Sequence, residues 1–220
     1  MTKPCTKITT FVGFKDVWEE HHANIQIDLS NKLGSGNFGE VYKGKWRNKY
    51  DVAIKTLKLT EQDSAAKKEL RKKEFLKECD IMKKFRHDKL VKLWCVCTLE
   101  EPVYIVTEYM CNGSLLKYLR ETMSEYMRDL KGKLLNFSKI IDMAAQIACG
   151  MKYMEFSKCV HRDLAARNIL VGERNIVKIA DFGFAQELDE NLMIDLSLNE
   201  SELFPGIDKE YFKARFSADN

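Results

Sequence analysis

The first half of the chain alternates between apolar and polar residues in a way that predicts a small antiparallel sheet. Residues 25–29 alternate, a glycine-rich break follows, and Val41 opens a second strand. A third short apolar strand covers residues 52–54, and residues 90–96 and 103–107 form two more predicted strands. The pattern therefore indicates a β-rich first half.

Two longer stretches have the periodicity of helices. Residues 61–85 are rich in Lys, Glu, Leu and Ala and contain neither Gly nor Pro, and residues 138–156 form the second stretch. The predicted apolar stripes are Phe75, Leu76, Cys79, Met82 and Phe85 in the first helix, and Ile140, Ala144, Ile147, Ala148, Met151 and Met154 in the second. The charged run 67–73 is interpreted as a solvated helix face.

Composition and charge argue against several classes of function. Apolar residues make up 45% of the chain, and the net charge of +3 is too small to predict nucleic-acid or membrane-surface binding. The seven cysteines lack metal-ligand spacing, and residues 1–18 contain no apolar signal-peptide segment. No run is long enough to span a bilayer, and Thr2 stands where N-myristoylation requires glycine. These features predict a cytoplasmic protein with reduced thiols, no transmembrane segment and no myristoyl anchor.

The first chemical motif is the glycine-rich sequence Gly34-Ser35-Gly36-Asn37-Phe38-Gly39. Alone, this pattern also fits a hairpin turn or a dinucleotide-binding turn, but the latter opens a helix. Here residues 40–46 alternate and predict a strand. A glycine loop between two strands can cover phosphates, because without Cβ atoms its backbone N–H groups can approach phosphate oxygens.

Lys55 is the candidate for holding the phosphates of a nucleotide, and it would need an acidic partner. Lys55 ends the third predicted strand and would point into a cleft, although a solvated strand end is an alternative. Phosphoryl transfer in kinases pairs such a lysine with an acidic residue on the next helix. Glu69, Glu74 and Glu78 all lie on that predicted helix. The residues alone leave this choice open.

A catalytic loop and a metal-binding motif follow the second predicted helix. In the run from His161 to Asn168, Asp163 precedes Asn168 by five residues, which is the pattern of a catalytic base and a magnesium ligand. The tripeptide that begins at Asp181 follows the predicted strand 177–180, and its carboxylate can also bind Mg²⁺. The four motifs in this order predict phosphoryl transfer from ATP.

These motifs resemble those of cytoplasmic (non-receptor) protein tyrosine kinases, specifically Src-related ones. Residues 165–168, Ala-Ala-Arg-Asn, are similar to the tyrosine kinase pattern, whereas serine/threonine kinases usually carry Lys-Pro there. Residues 98–110 are also similar to Src-related kinases. Core Src members carry Leu-Arg-Ala-Ala-Asn in the catalytic loop, so the chain resembles the Fyn-related kinase branch more closely. The similarity extends from about residue 18 to about residue 186.

The resemblance implies an α+β, bilobal protein-kinase-like fold. The small lobe would contain a five-stranded antiparallel sheet plus one helix, and the large lobe would be a partial helical lobe. The implied boundaries are 1–24 for a polar lead-in, 25–110 for the ATP-binding small lobe, 111–187 for the partial large lobe with the catalytic loop, and 188–220 for a divergent tail.

The resemblance also assigns roles to matching residues. The implied catalytic residues are Asp163, Lys55, Glu78 and Arg167, and the implied metal ligands are Asn168 and Asp181. The residues implied to surround the nucleotide are Leu33, Gly34, Gly36, Gly39, Val41, Ala53, Lys55, Thr107, Glu108, Met110 and Leu170. Thr107 would be the gatekeeper, and the backbone of Glu108 and Met110 would bond to adenine. Met82, Leu93, His161 and Phe182 would stack as the regulatory spine.

Three features depart from the family pattern. The stretch between Lys55 and Glu78 is longer than in Src relatives. Phe184 and Gln186 stand where Leu and Arg are usual, and the similarity fades after Gln186. Met193 occupies the position of the activation tyrosine, and no Ala-Pro-Glu follows. We therefore expect no autophosphorylation at the usual position.

The predicted function is an ATP-dependent protein tyrosine kinase in cytoplasmic signalling, with ATP and Mg²⁺ as cofactors and tyrosine-containing proteins as substrates. The alternative is a truncated, catalytically inactive fragment that binds a nucleotide or a partner. A Rossmann oxidoreductase is disfavoured, because a strand follows the glycine loop and no βαβ pattern is present. In the resembled fold further helices cover residues 138–156, so we expect the isolated chain to be poorly stable, to have little or no kinase activity and to attract chaperones.

Overall fold

The computed structural model describes residues 16–36, 39–59, 62–128 and 137–188. The prediction about Met193, like the rest of the expectations for residues 189–220, lies outside these residues.

A five-stranded antiparallel sheet forms the small lobe, as the sequence predicts. Its strands are β1 (Ile25–Ser35), β2 (Gly39–Trp46), β3 (Tyr50–Leu57), β4 (Leu93–Cys97) and β5 (Tyr104–Glu108). They are ordered β1-β2-β3-β5-β4, so β3 and β5 lie inside the sheet. Strands buried on both faces favour uninterrupted apolar runs, and Val52 and Ile54 of β3 and Ile105 and Val106 of β5 are fully buried.

The helix of the small lobe, α1 (Ala65–Lys84), packs its apolar stripe against this sheet. It begins after Ser64, whose hydroxyl accepts a hydrogen bond from the backbone N–H of Lys67. This N-cap explains why the helix starts four residues later than the predicted position 61. Phe75 is fully buried in the core, and it shares one cluster with Val103 and Ile105 of the sheet.

Residues 16–24 lie against the edge of the sheet beside β4. The backbone of Trp18 accepts a hydrogen bond from Val96 N, and Glu20 N donates to Val96 O, at 2.9 and 2.8 Å. The side chain of Glu20 accepts from Trp46 Nε1 and Arg47 of the β2 end. The last part of the predicted lead-in therefore contributes contacts to the small lobe.

The described part of the large lobe contains two helices and four short strands. The helices are α2 (Leu115–Arg128) and α3 (Phe137–Phe156), and the strands are β6 (Cys159–Val160), β7 (Ile169–Val171), β8 (Val177–Ile179) and β9 (Gln186–Glu187). The sequence pattern did not predict helix α2. It begins after the turn at Gly113, which has a positive φ of 66°, and the hydroxyl of Ser114 accepts a hydrogen bond from Lys117 N in its first turn.

The buried face of α3 differs from the predicted stripe. Met154 of the predicted stripe is buried, and so is Met143, which was not predicted. Ile140 is 43% exposed, and Ala144 and Ala148 are also exposed. The difference arises because α3 packs on β6 and β8, and a Cβ at Gly150 would lie 2.8 Å from Ile179 Cδ1 of β8. A glycine at the closest approach fixes which face of the helix is buried.

Among the residues that the structure describes, no helix has the length and apolar character needed to cross a membrane.

Candidate active site

A cleft of about 1300 Å³ lies where the small lobe meets the large lobe. Fifteen of the predicted site residues line it: Leu33, Gly34, Gly36, Gly39, Val41, Ala53, Lys55, Glu78, Thr107, Met110, Asp163, Arg167, Asn168, Leu170 and Asp181. Glu108, which precedes Met110 by two residues, directs its carboxylate to Lys178 instead. Elements far apart in the chain thus bring the predicted residues together around one space.

Gly34, Gly36 and Gly39 line the cleft from the side of the small lobe, and their surroundings differ. A Cβ at Gly39 would lie 1.8 Å from the carbonyl oxygen of Thr56, so the pairing of β2 with β3 requires glycine there. At Gly34 and Gly36, no atom of the described residues lies within 4 Å of the Cβ position. The backbone at these two positions faces open space that a phosphate group could fill.

Lys55 and Glu78 form an ion pair at the back of the cleft. The distances from Lys55 Nζ to the two carboxylate oxygens of Glu78 are 2.7 and 2.6 Å, and Asp181 Oδ1 lies 3.3 Å from the same nitrogen. The side chain of Glu78 is only 4% exposed and that of Lys55 is 15% exposed. Burial alone would lower the pKa of Lys55, but the two carboxylates raise it above its usual value. Lys55 therefore carries its positive charge at neutral pH.

The base of the cleft holds Asp163 with a defined orientation. Asn168 Nδ2 donates to the backbone oxygen and to Oδ2 of Asp163, at 2.7 and 2.8 Å. Arg167 donates to the other carboxylate oxygen of Asp163. These hydrogen bonds fix the orientation of the Asp163 carboxylate. A general base needs such a defined orientation.

His161 and Phe182 place Asp181 next to these groups. The two rings are 5.5 Å apart, and both side chains are fully buried. His161 Nε2 contacts the carbonyl oxygen of Ala180 at 3.0 Å, and burial lowers the pKa of the imidazole, so its neutral form donates this hydrogen bond. Asp181 itself has φ 62° and ψ 75°, a conformation that non-glycine residues adopt only when their surroundings hold it.

The remaining predicted spine residues, Met82 and Leu93, are buried in the same apolar cluster as Phe182.

Oxygen atoms in the cleft fit a magnesium ion bound together with a nucleotide. The amide nitrogen of Asn168 is used by Asp163, so its amide oxygen is the atom that could ligate a cation. The carboxylate of Asp181 supplies the second protein ligand, and Mg²⁺ commonly uses one or two protein oxygens plus phosphates and water. Within the described ranges, no cluster of three or more His, Cys, Asp or Glu side chains could hold a metal alone.

Lys178 is a residue of this region that sequence analysis did not identify. Its ammonium bonds to both carboxylate oxygens of Glu108, at 2.7 and 2.8 Å. The signal in the sequence is a lysine between two buried apolar residues of a three-residue strand. Such a residue is costly to bury without a partner, which indicates that one exists.

Comparison with known proteins finds similarity to protein kinases. Residues 27–202 match the family described as protein tyrosine and serine/threonine kinase. The chain is 51% identical over 166 residues to tyrosine-protein kinase Src64B of Drosophila melanogaster, an alignment that covers 76% of the chain and 27% of that relative. It is 46% identical over 190 residues to tyrosine-protein kinase FRK of Homo sapiens, covering 84% and 34%. Tyrosine-protein kinase SRK3 of Spongilla lacustris is 44% identical over 196 residues, covering 87% and 53%.

The chain thus spans between about a quarter and about a half of the length of these curated relatives. The predicted similarity to Src-related tyrosine kinases is confirmed by these matches.

Proposed function

Because the chain belongs to the family of protein tyrosine and serine/threonine kinases, we propose that it transfers the γ-phosphate of ATP to tyrosine side chains of proteins. The observation that carries this proposal is that the ammonium of Lys55 lies within hydrogen-bond distance of the carboxylates of both Glu78 and Asp181. They line the same cleft as Asp163 and Asn168. Phosphoryl transfer requires positioning of phosphates, of metal ions and of the attacking hydroxyl, and this cleft offers a residue for each task.

Five side chains of the cleft have roles in the proposed reaction. The ammonium of Lys55, held by Glu78, binds phosphate oxygens of the nucleotide. Asp163 accepts the proton of the substrate hydroxyl, and Arg167 and Asn168 keep its carboxylate in place. Magnesium-bound ATP, when present, supplies the phosphoryl group and shields its negative charge.

The ring of adenine would lie between the two lobes. Val41 and Ala53 of the small lobe and Leu170 of the large lobe supply the apolar surfaces. The backbone of Glu108 and Met110 would supply the polar contacts, and Thr107 would border the inner end of the site. This assignment rests on the resemblance and, for Val41, Ala53, Thr107, Met110 and Leu170, on their positions along the cleft.

Tyrosine as the acceptor is supported by the three relatives described above, each of which is named as a tyrosine-protein kinase. The sequence Ala165-Ala166-Arg167 also fits this acceptor by resemblance. From the resemblance to cytoplasmic (non-receptor) kinases, we also propose a cytoplasmic location, with ATP and protein substrates as partners.

A phosphate-transfer assay with an Asp163→Asn variant tests the proposal. We expect the wild-type chain to bind Mg·ATP and to phosphorylate tyrosine in a random Glu-Tyr copolymer at a low but measurable rate. The variant should bind the nucleotide with a similar affinity but transfer phosphate at least 10²-fold more slowly, because it lacks the base. A suitable control is Asp51→Asn, which changes an exposed carboxylate on β3.

Three other results would lead to different conclusions. Nucleotide binding by wild type without any transfer would favour the alternative of a catalytically inactive nucleotide-binding chain. Transfer to serine alone would contradict the proposed acceptor. An unchanged rate in the Asp163→Asn variant would remove Asp163 as the base.

A further inference from the structure

The carboxylate of Glu108 joins three separate segments at the connection between the lobes. It accepts a hydrogen bond from Lys92 N at 2.7 Å and bonds to Lys178 Nζ through both oxygens. The backbone N–H of Glu108 in turn donates to the carbonyl oxygen of Lys92 at 3.0 Å. The side chains of Glu108 and Lys178 are only 21% and 16% exposed, so the ion pair is largely withdrawn from water.

Each of the joined segments leads directly into the proposed site. Glu108 ends β5, and Met110 follows it in the stretch that connects the lobes. Lys178 lies opposite Leu170 in the β7–β8 pair and precedes Asp181 by three residues. The β8 strand is further tied to the segment before β4, because Ile179 N donates to Lys89 O at 2.9 Å. One ion pair thus links the connecting stretch to the strand that carries the proposed metal ligand.

We propose that Lys178 is a positioning residue that acts through Glu108. It holds the backbone of residues 108–110 at a fixed distance from β8, and so sets the affinity of the cleft for the adenine nucleotide. Lys178 does not line the cleft, so its effect on the nucleotide is indirect. The nucleotide part of this inference rests on the proposed function, whereas the positional part does not.

The physical reason is the cost of an unpaired charge. A partly buried carboxylate that loses its cation must find another partner or draw in water. On its C-terminal side, Glu108 is followed by a stretch without regular secondary structure. This stretch can therefore move until the carboxylate reaches another partner or water. Loss of Lys178 should therefore loosen residues 108–113 more than it loosens the inner strands of the sheet.

The test compares four single variants of the chain and the double variant Lys178→Met with Glu108→Gln. Lys178→Met removes the charge at similar length, Lys178→Arg keeps it, and Glu108→Gln removes the other partner. Lys45→Met is the matched control, because it breaks an exposed ion pair with Asp51 elsewhere in the sheet. Hydrogen exchange of the backbone amides is measured without nucleotide, and the dissociation constant for Mg·ADP is measured by calorimetry, at a temperature where thermal unfolding shows every variant to be folded.

We expect Lys178→Met and Glu108→Gln to speed exchange at residues 108–113 about tenfold relative to residues 52–54, and to raise the dissociation constant about tenfold. The double variant should be no worse than either single one, because both remove the same interaction. Lys178→Arg should stay within about threefold of wild type, and Lys45→Met should leave both quantities unchanged.

Exchange at residues 108–113 that is unchanged relative to residues 52–54 in Lys178→Met would overturn the inference, even if the variant melts at a lower temperature. An unchanged dissociation constant in that variant would do the same where wild type binds Mg·ADP. If wild type does not bind Mg·ADP, the proposed function fails, and the exchange comparison still decides whether Lys178 positions the connecting stretch.

Discussion

The carboxylate of Glu78 lies 2.6 Å from the ammonium of Lys55, although 23 positions separate the two residues in the sequence. The contact joins the middle of β3 to the buried face of α1, next to Asp181. The position of α1 and the proposed binding of phosphate by Lys55 therefore depend on one ion pair. Because Glu78 is nearly inaccessible to water, replacing Lys55 with solvent as its partner would cost considerable free energy.

The Glu78→Gln substitution should weaken both the fold and the proposed activity. Lys55 would lose the carboxylate of Glu78 as a partner, so we expect the free energy of unfolding to fall by about 2 kcal/mol. We expect phosphate transfer to fall at least tenfold, because the ammonium is no longer held in one position. Denaturant unfolding and copolymer phosphorylation measure the two effects.

Glu69→Gln, an exposed position on the same helix, is the control and should change neither quantity measurably. A Glu78→Gln variant that matches this control in both assays would show that the pair does not position Lys55.

The small lobe could be predicted from the sequence because its strands and its helix have clear, different periodicities. The catalytic loop could be predicted equally well, since its residues are close in sequence and their spacing determines which of them are in contact. The partner of Lys55 could not be derived from the residues alone, because Glu69, Glu74 and Glu78 are chemically equivalent and only packing against β3 distinguishes them. The resemblance supplied that choice.

Other features depend on contacts that no local pattern contains. The buried face of α3 was predicted partly wrongly, because its apolar residues nearly surround the helix and the close approach of Gly150 to Ile179 decides the orientation. The pairing of Lys178 with Glu108 joins residues 70 positions apart. Without the tertiary structure, a lysine in a short strand gives no indication of its partner.

Glu20 should make the stability of the small lobe depend on pH in the acid range. Its carboxylate accepts hydrogen bonds from Asn24, Trp46 and Arg47. Burial alone would raise its pKa, but these donors lower it from 4.5 to about 2. A group whose pKa is lower in the folded state stabilises that state above its unfolded pKa, and this contribution disappears as the pH falls through its folded pKa.

We therefore expect Glu20→Gln to lower the free energy of unfolding at pH 6, and we expect its difference from wild type to shrink between about pH 4.5 and pH 2. Urea unfolding at several pH values measures this, with the exposed Glu155→Gln as the control. A difference from wild type that stays constant over that range would contradict the argument.

The exposed side of α3 should govern the solubility of the 220-residue chain. Ile141 is 53% exposed, whereas Met143, two positions later, is buried. Exposed apolar groups promote association, and we also propose that they attract chaperones. Ile141→Glu should reduce light scattering of the expressed chain and leave the free energy of unfolding within about 0.5 kcal/mol.

Met143→Glu is the matched control, since it buries a charge and should unfold the large lobe. If Ile141→Glu destabilises the chain as strongly as Met143→Glu, then Ile141 is covered in solution and the argument fails.

The two kinds of glycine in the loop above the cleft should respond differently to alanine. At Gly39 the new Cβ would overlap the carbonyl oxygen of Thr56, with a separation of 1.8 Å, so β2 and β3 must move apart. We expect Gly39→Ala to lower the melting temperature by several degrees, since a loss of about 1 kcal/mol has that effect in a domain of this size.

At Gly34 no described atom is near the Cβ position, so Gly34→Ala should leave the melting temperature of the free chain close to that of wild type. Its methyl group would instead occupy space next to a bound phosphate, because a Cβ keeps the backbone N–H groups away from phosphate oxygens. We therefore expect a higher dissociation constant for Mg·ATP in Gly34→Ala, measured by calorimetry, and a smaller rise of its melting temperature when the nucleotide is added. If Gly34→Ala binds Mg·ATP as tightly as wild type does, the open space at this position does not hold the phosphates, and the role of the loop must be assigned to other residues.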